Sequence, residues 1–178
     1  MAADGVMAGG WALVRAGRIA ALGSGAPPAA ERRIDLAGRW LAPGFIDTHL
    51  HIASETPYLE PDNPGGRHIA GGATGCLLTT SRGPLDRMID ELDAEWERLR
   101  DRPFGKTVLG IHLEGPFINT KAPGAIPLFR IEPPDAAKLE RALDRFPLPV
   151  RIVTLAPEVP GNDRVIALLA ERGIAASM

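Results

Sequence analysis

The sequence has little of what marks several protein classes. Its single cysteine, Cys76, cannot form a disulfide within the chain. The setting Thr-Gly-Cys-Leu-Leu predicts that Cys76 is a small apolar side chain in a buried strand rather than a catalytic thiol. Lysine and arginine together number 20 against 22 aspartates and glutamates, with no local run of basic residues. A nucleic-acid-binding surface needs a basic excess, so no nucleic-acid partner is expected.

Long apolar runs are also absent. No stretch approaches the roughly 20 residues that a membrane helix needs, and the N-terminus lacks the basic start and apolar run of a secretion signal. We therefore expect a cytoplasmic protein with no membrane partner. The chain has 178 residues, of which 45% are hydrophobic. This is enough to bury the core of one ordinary domain.

The first 43 residues predict a small β-rich segment. Short apolar stretches are separated by turn signals and by a loop rich in glycine, alanine and proline. Strands are expected at residues 11–14, 18–22, 33–35 and 40–41. So few short strands bury little apolar surface by themselves, and we expect them to pack against further structure.

From residue 44 onward the pattern changes to apolar strands alternating with amphipathic helices, which predicts βαβ units and a parallel sheet. The expected strands cover 45–51, 73–79, 107–114 and 150–155, with a fifth beginning near residue 174. Helices are expected at 84–100, 134–146 and 163–172. Pro134 would lie in the first turn of the second helix, and the third would end before Gly173. A long loop is expected over 53–67, on the side where α/β folds bind ligands.

Two histidines follow an apolar run in the segment Leu-Ala-Pro-Gly-Phe-Ile-Asp-Thr-His-Leu-His-Ile. Residues i and i+2 of a strand point to one face, so His49 and His51 could hold one metal ion together. The pair alone fits a strand that binds nothing equally well. Asp47, assigned to the same strand face, either orients a ligand imidazole or makes a structural hydrogen bond.

A second cluster lies in the segment Gly-Ile-His-Leu-Glu-Gly-Pro-Phe, where His112 and Glu114 share one face of a predicted strand. A strand-end carboxylate is costly to bury unless a cation or hydrogen-bond donors neutralise it. Glu114 is therefore either a metal ligand or a salt-bridged loop residue. With the histidine pair, we predict the metal ligands Glu114, His49 and His51.

These two segments, together with Val-Thr-Leu-Ala-Pro-Glu at residues 153–158, resemble the amidohydrolase superfamily and, within it, the N-acetylglucosamine-6-phosphate deacetylase family. The resemblance implies an α/β fold, the N-terminal part of a (β/α)8 TIM barrel preceded by half of a small β-sandwich. Residues 1–43 would supply the sandwich strands and residues 44–178 the first four to five β/α units. It further implies hydrolysis of the N-acetyl amide of a small-molecule amino sugar phosphate. One or two divalent ions, zinc by preference, would be held by Glu114 and the histidine pair.

Two departures from the family pattern qualify that expectation. Ile126 stands where the family has a histidine that helps to hold the sugar phosphate, and isoleucine cannot donate a hydrogen bond. The resemblance also places a further ligand histidine, the phosphate-binding arginine and the catalytic aspartate beyond residue 178. No catalytic residue is therefore assigned within this chain, and we expect little activity from it alone. A full-length form is expected to be a homo-oligomer.

Two rival interpretations remain. One is another amidohydrolase, such as a dihydroorotase-like enzyme or an N-acyl amino acid deacylase, which Ile126 favours and the Glu-Gly-Pro-Phe and Leu-Ala-Pro-Glu segments disfavour. The other is a non-catalytic remnant that acts as an assembly module and pairs its open sheet edge with another chain.

Overall fold

A computed structural model describes residues 5–51, 66–80 and 83–178 of the chain, with the side chains of residues 66 and 67 excepted. Contacts divide the chain into two compact units, Met1–Pro43 and Gly44–Met178. The predicted loop at 53–67 lies almost wholly outside the described residues. None of the helices described has the length and apolarity that a bilayer span requires.

The first unit contains one β-hairpin. Strand β1 (Gly10–Arg15) pairs antiparallel with β2 (Arg18–Ser24), so the strands predicted at 11–14 and 18–22 are confirmed. The two-residue loop between them has φ of 48° at Ala16 and 73° at Gly17, as tight hairpin turns require. The β-sandwich stays a prediction, because a two-stranded sheet is what the described residues of this unit form.

The prediction of strands at residues 33–35 and 40–41 is wrong. These residues are irregular in the structure. The Asp35 carboxylate accepts a hydrogen bond from the Ala37 backbone N–H at 2.8 Å, and Ala37 has φ of 49°, which turns the chain. A strand needs a neighbouring strand to satisfy its backbone hydrogen bonds, and such short stretches find none among the described residues of this unit.

The second unit is built on a five-stranded parallel sheet, which confirms the predicted α/β class. The strands are β3 (Phe45–Leu50), β4 (Ala73–Thr80), β5 (Val108–Glu114), β6 (Val150–Thr154) and β7 (Ala175–Ser177). Their order in the sheet equals their order in the sequence, and every pair is parallel. This arrangement is consistent with part of a TIM barrel, in which each strand pairs with the next along the chain.

Helices connect these strands close to the predicted positions. They are α1 (Gly66–Ala70), α2 (Leu85–Leu99), α3 (Ala136–Leu143) and α4 (Asn162–Glu171). Pro134 does not lie in the first turn of α3, because Asp135 caps that helix by accepting the Lys138 N–H at 2.8 Å. At the end of α4, Gly173 has φ of 66° and the Ile174 N–H donates to the Leu169 carbonyl at 2.8 Å, which confirms the predicted stop.

The core lies between the sheet and the helices. Leu78, Ile111 and Leu113 on the strands are buried in one cluster with the apolar stripe of α2, including Met88 and Leu92. Cys76 belongs to the same cluster and is 2% exposed, as predicted. Burial raises the pKa of the Cys76 thiol, and Asp47 adds to the effect while a hydrogen bond with Thr107 opposes it. Cys76 is therefore a core residue rather than a nucleophile.

Candidate metal centre

The three predicted ligands converge at the ends of two strands. His49 on β3 and His51 just after it face Glu114 at the end of β5, with β4 lying between the two strands. The two imidazole Nε2 atoms are 3.0 Å apart, and Glu114 Oε2 lies 3.3 Å from His51 Nε2 and 3.6 Å from His49 Nε2. Ligand atoms at about 2.0–2.1 Å from a tetrahedral zinc lie about 3.3 Å from one another. The spacing of these donors therefore fits a single divalent ion.

The cluster is open on one side and carries the charge that a cation needs. The side chains of His49 and His51 are 44% and 40% exposed, and that of Glu114 is 26% exposed. A hydrogen bond with His51 lowers the pKa of Glu114, and nearby imidazoles add to this effect while burial opposes it. Glu114 is therefore ionised at neutral pH, which is the form that coordinates metals.

His112 lies beneath the cluster and is 4% exposed. Its Nδ1 atom is 2.7 Å from the Thr48 carbonyl oxygen, and its Nε2 atom is 2.8 Å from the Thr154 hydroxyl. Its ring meets the His49 ring edge-on, with centroids 4.9 Å apart and an interplanar angle of 84°. Burial lowers the pKa of His112 most strongly. The imidazole is therefore neutral, and it supports the ligand histidine rather than joining the three donors.

Asp47 does not lie on the strand face that we predicted. In the β3–β4 pairing Asp47 is opposite Cys76 and Leu50 is opposite Leu78. Over this stretch β3 advances by three residues while β4 advances by two, so β3 contains one extra residue. This bulge reverses the alternation and places Asp47 on the face opposite the ligand imidazoles. The Asp47 carboxylate accepts the His49 backbone N–H at 3.0 Å, so the structural alternative holds. Its other oxygen lies 3.1 Å from Nδ1 of His68, a contact the sequence did not indicate.

The loops after β5 and β6 are held together by side chains that the sequence analysis missed. Asn162, which is fully buried, donates from Nδ2 to the carbonyls of Phe117 at 3.0 Å and Ala156 at 2.7 Å. Asn119 donates to the Glu158 carboxylate at 2.7 Å. These contacts join the Glu-Gly-Pro-Phe and Leu-Ala-Pro-Glu segments. Sequence motifs suggested that both segments matter, but no spacing rule pairs residues of two separate loops.

Ile126 is buried beside the strand end that carries Glu114. It is 8% exposed, and its Cδ1 lies 3.8 Å from the position that a Cβ on Gly115 would take. The chain therefore presents an apolar side chain at this point of the loop after β5.

Comparison with known proteins identifies relatives of the chain. No model of a protein family matches it. It is 30% identical over 156 residues to N-acetylglucosamine-6-phosphate deacetylase of Lysinibacillus sphaericus, covering 82% of this chain, and 33% identical over 162 residues to that of Homo sapiens, covering 84%. It is also 30% identical over 139 residues to N-acetylgalactosamine-6-phosphate deacetylase of Escherichia coli O157:H7, covering 75% of this chain and 37% of the relative.

Solved structures give the same result. An N-acetyl-D-glucosamine-6-phosphate deacetylase from Mycobacterium smegmatis is 30% identical with a TM-score of 0.73, covering 94% of this chain and 48% of that one. A variant of it in complex with N-acetyl-D-glucosamine-6-phosphate is 29% identical with a TM-score of 0.72, covering 94% of this chain and 44% of that one. The chain spans about 39% of the length of the first two curated relatives. Over most of its length, the chain is similar to the N-terminal part of N-acetylglucosamine-6-phosphate deacetylases, which confirms the resemblance seen in its motifs.

Proposed function

We propose that the chain is the metal-binding part of an enzyme that hydrolyses the N-acetyl amide of an amino sugar phosphate. The observation that carries this proposal is the convergence of His49, His51 and Glu114 on one point in a chain similar to deacetylases. Their donor atoms all lie within 4.8 Å of one another. The cluster also lies at the carboxyl ends of parallel strands, where barrel enzymes place their catalytic groups.

The donor set favours a divalent transition metal. Two imidazoles and one carboxylate are the protein ligands of many catalytic zinc sites, which leave a further position open for water or substrate. A divalent ion held by these residues would supply a water of lowered pKa and an electrophile for the amide carbonyl. In this chain His49, His51 and Glu114 would hold one or two such ions, with zinc preferred. No residue of the chain is assigned the proton transfer to the departing amine.

The sugar is proposed only as a class. The relatives include deacetylases for N-acetylglucosamine-6-phosphate and for N-acetylgalactosamine-6-phosphate. These two sugars differ only in the configuration of one hydroxyl group. Ile126 offers no hydrogen bond to a phosphate, so the phosphate would have to be bound by other residues. The same apolar side chain favours the second candidate function, another amidohydrolase such as an N-acyl amino acid deacylase or a dihydroorotase-like enzyme.

The organisation of the protein is part of the same proposal. Residues 1–43 would belong to a small β-sandwich domain, and residues 44–178 would form the first β/α units of the barrel. We also propose a cytoplasmic location and assembly into a homo-oligomer.

Zinc binding by the 178-residue chain tests the proposed site. We expect at least one zinc per chain after dialysis, measured by atomic emission, and loss of that zinc in the double variant His49→Asn, His51→Asn. The matched control is His68→Asn, because His68 pairs with Asp47 outside the cluster and should leave the stoichiometry unchanged. A wild-type chain without zinc, or equal loss of zinc in the control, would contradict the proposal.

A further inference from the structure

The Thr154 hydroxyl lies one hydrogen bond away from the side chain that supports the metal cluster. It is 2.8 Å from His112 Nε2, and the opposite side of the same ring contacts β3 through Nδ1. We propose that Thr154 is a positioning residue for the metal centre, acting through His112 on His49. This inference rests on the proposed function of His49, His51 and Glu114 as metal ligands.

The direction of each hydrogen bond follows from the chemistry of the partners. A backbone carbonyl can only accept, so His112 Nδ1 carries a hydrogen and donates it to Thr48. In the tautomer that carries its hydrogen on Nδ1, the lone pair is on Nε2. The Thr154 hydroxyl then donates to that lone pair. Thr154 thus fixes both the tautomer and the orientation of the His112 ring.

His112 reaches His49 by two routes. The carbonyl that accepts from Nδ1 belongs to Thr48, which immediately precedes His49 in the chain. The ring of His112 also packs edge-on against the His49 ring at 4.9 Å between centroids. A tilt of the His112 ring would therefore move both the backbone and the imidazole of His49.

Thr154 also contacts the carboxylate side of the cluster through its backbone. It is paired with Glu114 in the β5–β6 register, and its carbonyl accepts the N–H of Gly115 at 3.0 Å. Thr154 therefore contacts His112, which packs against His49, and also Gly115, which directly follows Glu114. Removing only its hydroxyl leaves the backbone contact intact and isolates the His112 route.

The test compares Thr154→Val, which keeps the shape but removes the hydroxyl, with Thr154→Ser, which keeps the hydroxyl. Zinc dissociation constants are measured by competition with a chromophoric chelator, and the visible absorption spectrum of the Co²⁺-loaded chain reports ligand geometry. Loss of an outer hydrogen-bond partner of a ligand weakens metal binding about 10–100-fold. Thr154 acts one step further from the metal, through His112, so we expect a loss of up to about tenfold and a changed Co²⁺ spectrum for Thr154→Val. Thr154→Ser should match the wild type.

Outcomes against the inference are distinct from failure of the proposed function. Thr154→Val with wild-type zinc affinity and an unchanged Co²⁺ spectrum would overturn the role of Thr154 while leaving the metal site in place. Imidazole nitrogen shifts of the metal-free wild-type chain, measured by NMR, provide a check that needs neither a variant nor a metal. The Nδ1–H tautomer at His112 supports the inference, whereas the Nε2–H tautomer overturns it. A wild-type chain that binds no zinc overturns the inference together with the proposed site.

Discussion

Glu114 supplies the only carboxylate of the proposed metal site. Its two partners are imidazoles, which coordinate as neutral groups, so the cluster gains its negative charge from this residue alone. The lowered pKa of Glu114 keeps that charge present at neutral pH. The affinity for a divalent cation should therefore depend more on the charge of Glu114 than on its shape.

Replacement of Glu114 by glutamine tests this dependence, because the variant keeps the size of the side chain and removes the charge. We expect zinc affinity to fall by more than the roughly 10–100-fold that the loss of an outer hydrogen-bond partner costs. Isothermal titration with zinc measures the effect. Glu158→Gln is the matched control, since Glu158 is an exposed carboxylate bound to Asn119. Equal affinities in the Glu114→Gln and wild-type chains would rule out Glu114 as a ligand.

Several residues of the site could be predicted from the sequence. His49, His51 and Glu114 were predicted because strand periodicity and strand ends follow from local patterns. Asp47 was assigned to the wrong face because a bulge in β3 shifts the alternation, and nothing in the local sequence marks the extra residue. The contacts of His112 with Thr48 and Thr154 join residues 64 and 42 positions apart, so only the folded chain reveals them.

At the scale of elements, the site depends on how the loops after β5 and β6 are joined. Asn162, the first residue of α4, holds the carbonyls of both loops with its amide nitrogen. The sequence predicts that this helix begins one residue later, which places Asn162 in the preceding loop. The strands and long helices of the second unit could be predicted because their apolar periodicity is strong. The conformation of the short stretches at 33–35 and 40–41 could not be predicted, because it depends on whether another strand lies beside them in the folded chain.

Asn162→Ala should destabilise the second unit. The variant removes two hydrogen bonds of about 0.5–1.5 kcal/mol each, a total of about 1–3 kcal/mol, while the carbonyls of Phe117 and Ala156 keep the backbone N–H groups of Ala156 and Val159 as donors. Urea denaturation followed by circular dichroism measures the loss. The neighbouring exposed Asp163→Asn is the control and should change stability by less than about 0.5 kcal/mol. Equal urea midpoints of the two variants would show that the Asn162 amide does not stabilise the joined loops.

On the scale of the whole molecule, the parallel sheet is open among the described residues. β3 and β7 are edge strands, and one face carries exposed apolar side chains near its amino end, with Ile46 at 61% and Leu109 at 46% exposure. Both approach Gly75, where a Cβ would lie 2.6 Å from Leu109 Cδ1 and 3.7 Å from Ile46 Cγ1. We call Ile46, Gly75 and Leu109 the inner apolar strip. Open edges and apolar strips of this kind promote association.

The 178-residue chain alone should therefore associate or be poorly soluble at micromolar concentration. Sedimentation velocity measures the distribution of species, and Ile46→Lys should shift it toward the monomer because a charge in the inner apolar strip opposes burial. Ile19→Lys in the hairpin, which alters a side chain that is 66% exposed, is the matched control. A wild-type chain that sediments as a monomer and melts in one sharp transition would contradict this expectation.

The chain alone should also release little or no acetate from N-acetylglucosamine-6-phosphate, even with saturating zinc. A metal ion held by the proposed ligands would polarise an amide, but no residue of this chain is assigned to protonate the departing amine. Enzymatic detection of acetate provides the measurement, with the human relative as the positive control. Robust turnover that disappears on chelation would show that the chain supplies its own proton donor.

The sequential strand order has a consequence for the way the metal cluster is assembled. Each strand of the sheet pairs with the one that precedes it in the chain, so no pairing has to wait for a distant segment. The imidazoles lie on and just after β3 and the carboxylate on β5, so all three proposed ligands have left the ribosome once residue 114 has emerged. Thr154 arrives afterwards with β6. A nascent chain that binds a cation at this stage would have the geometry of its ligands fixed only later in synthesis.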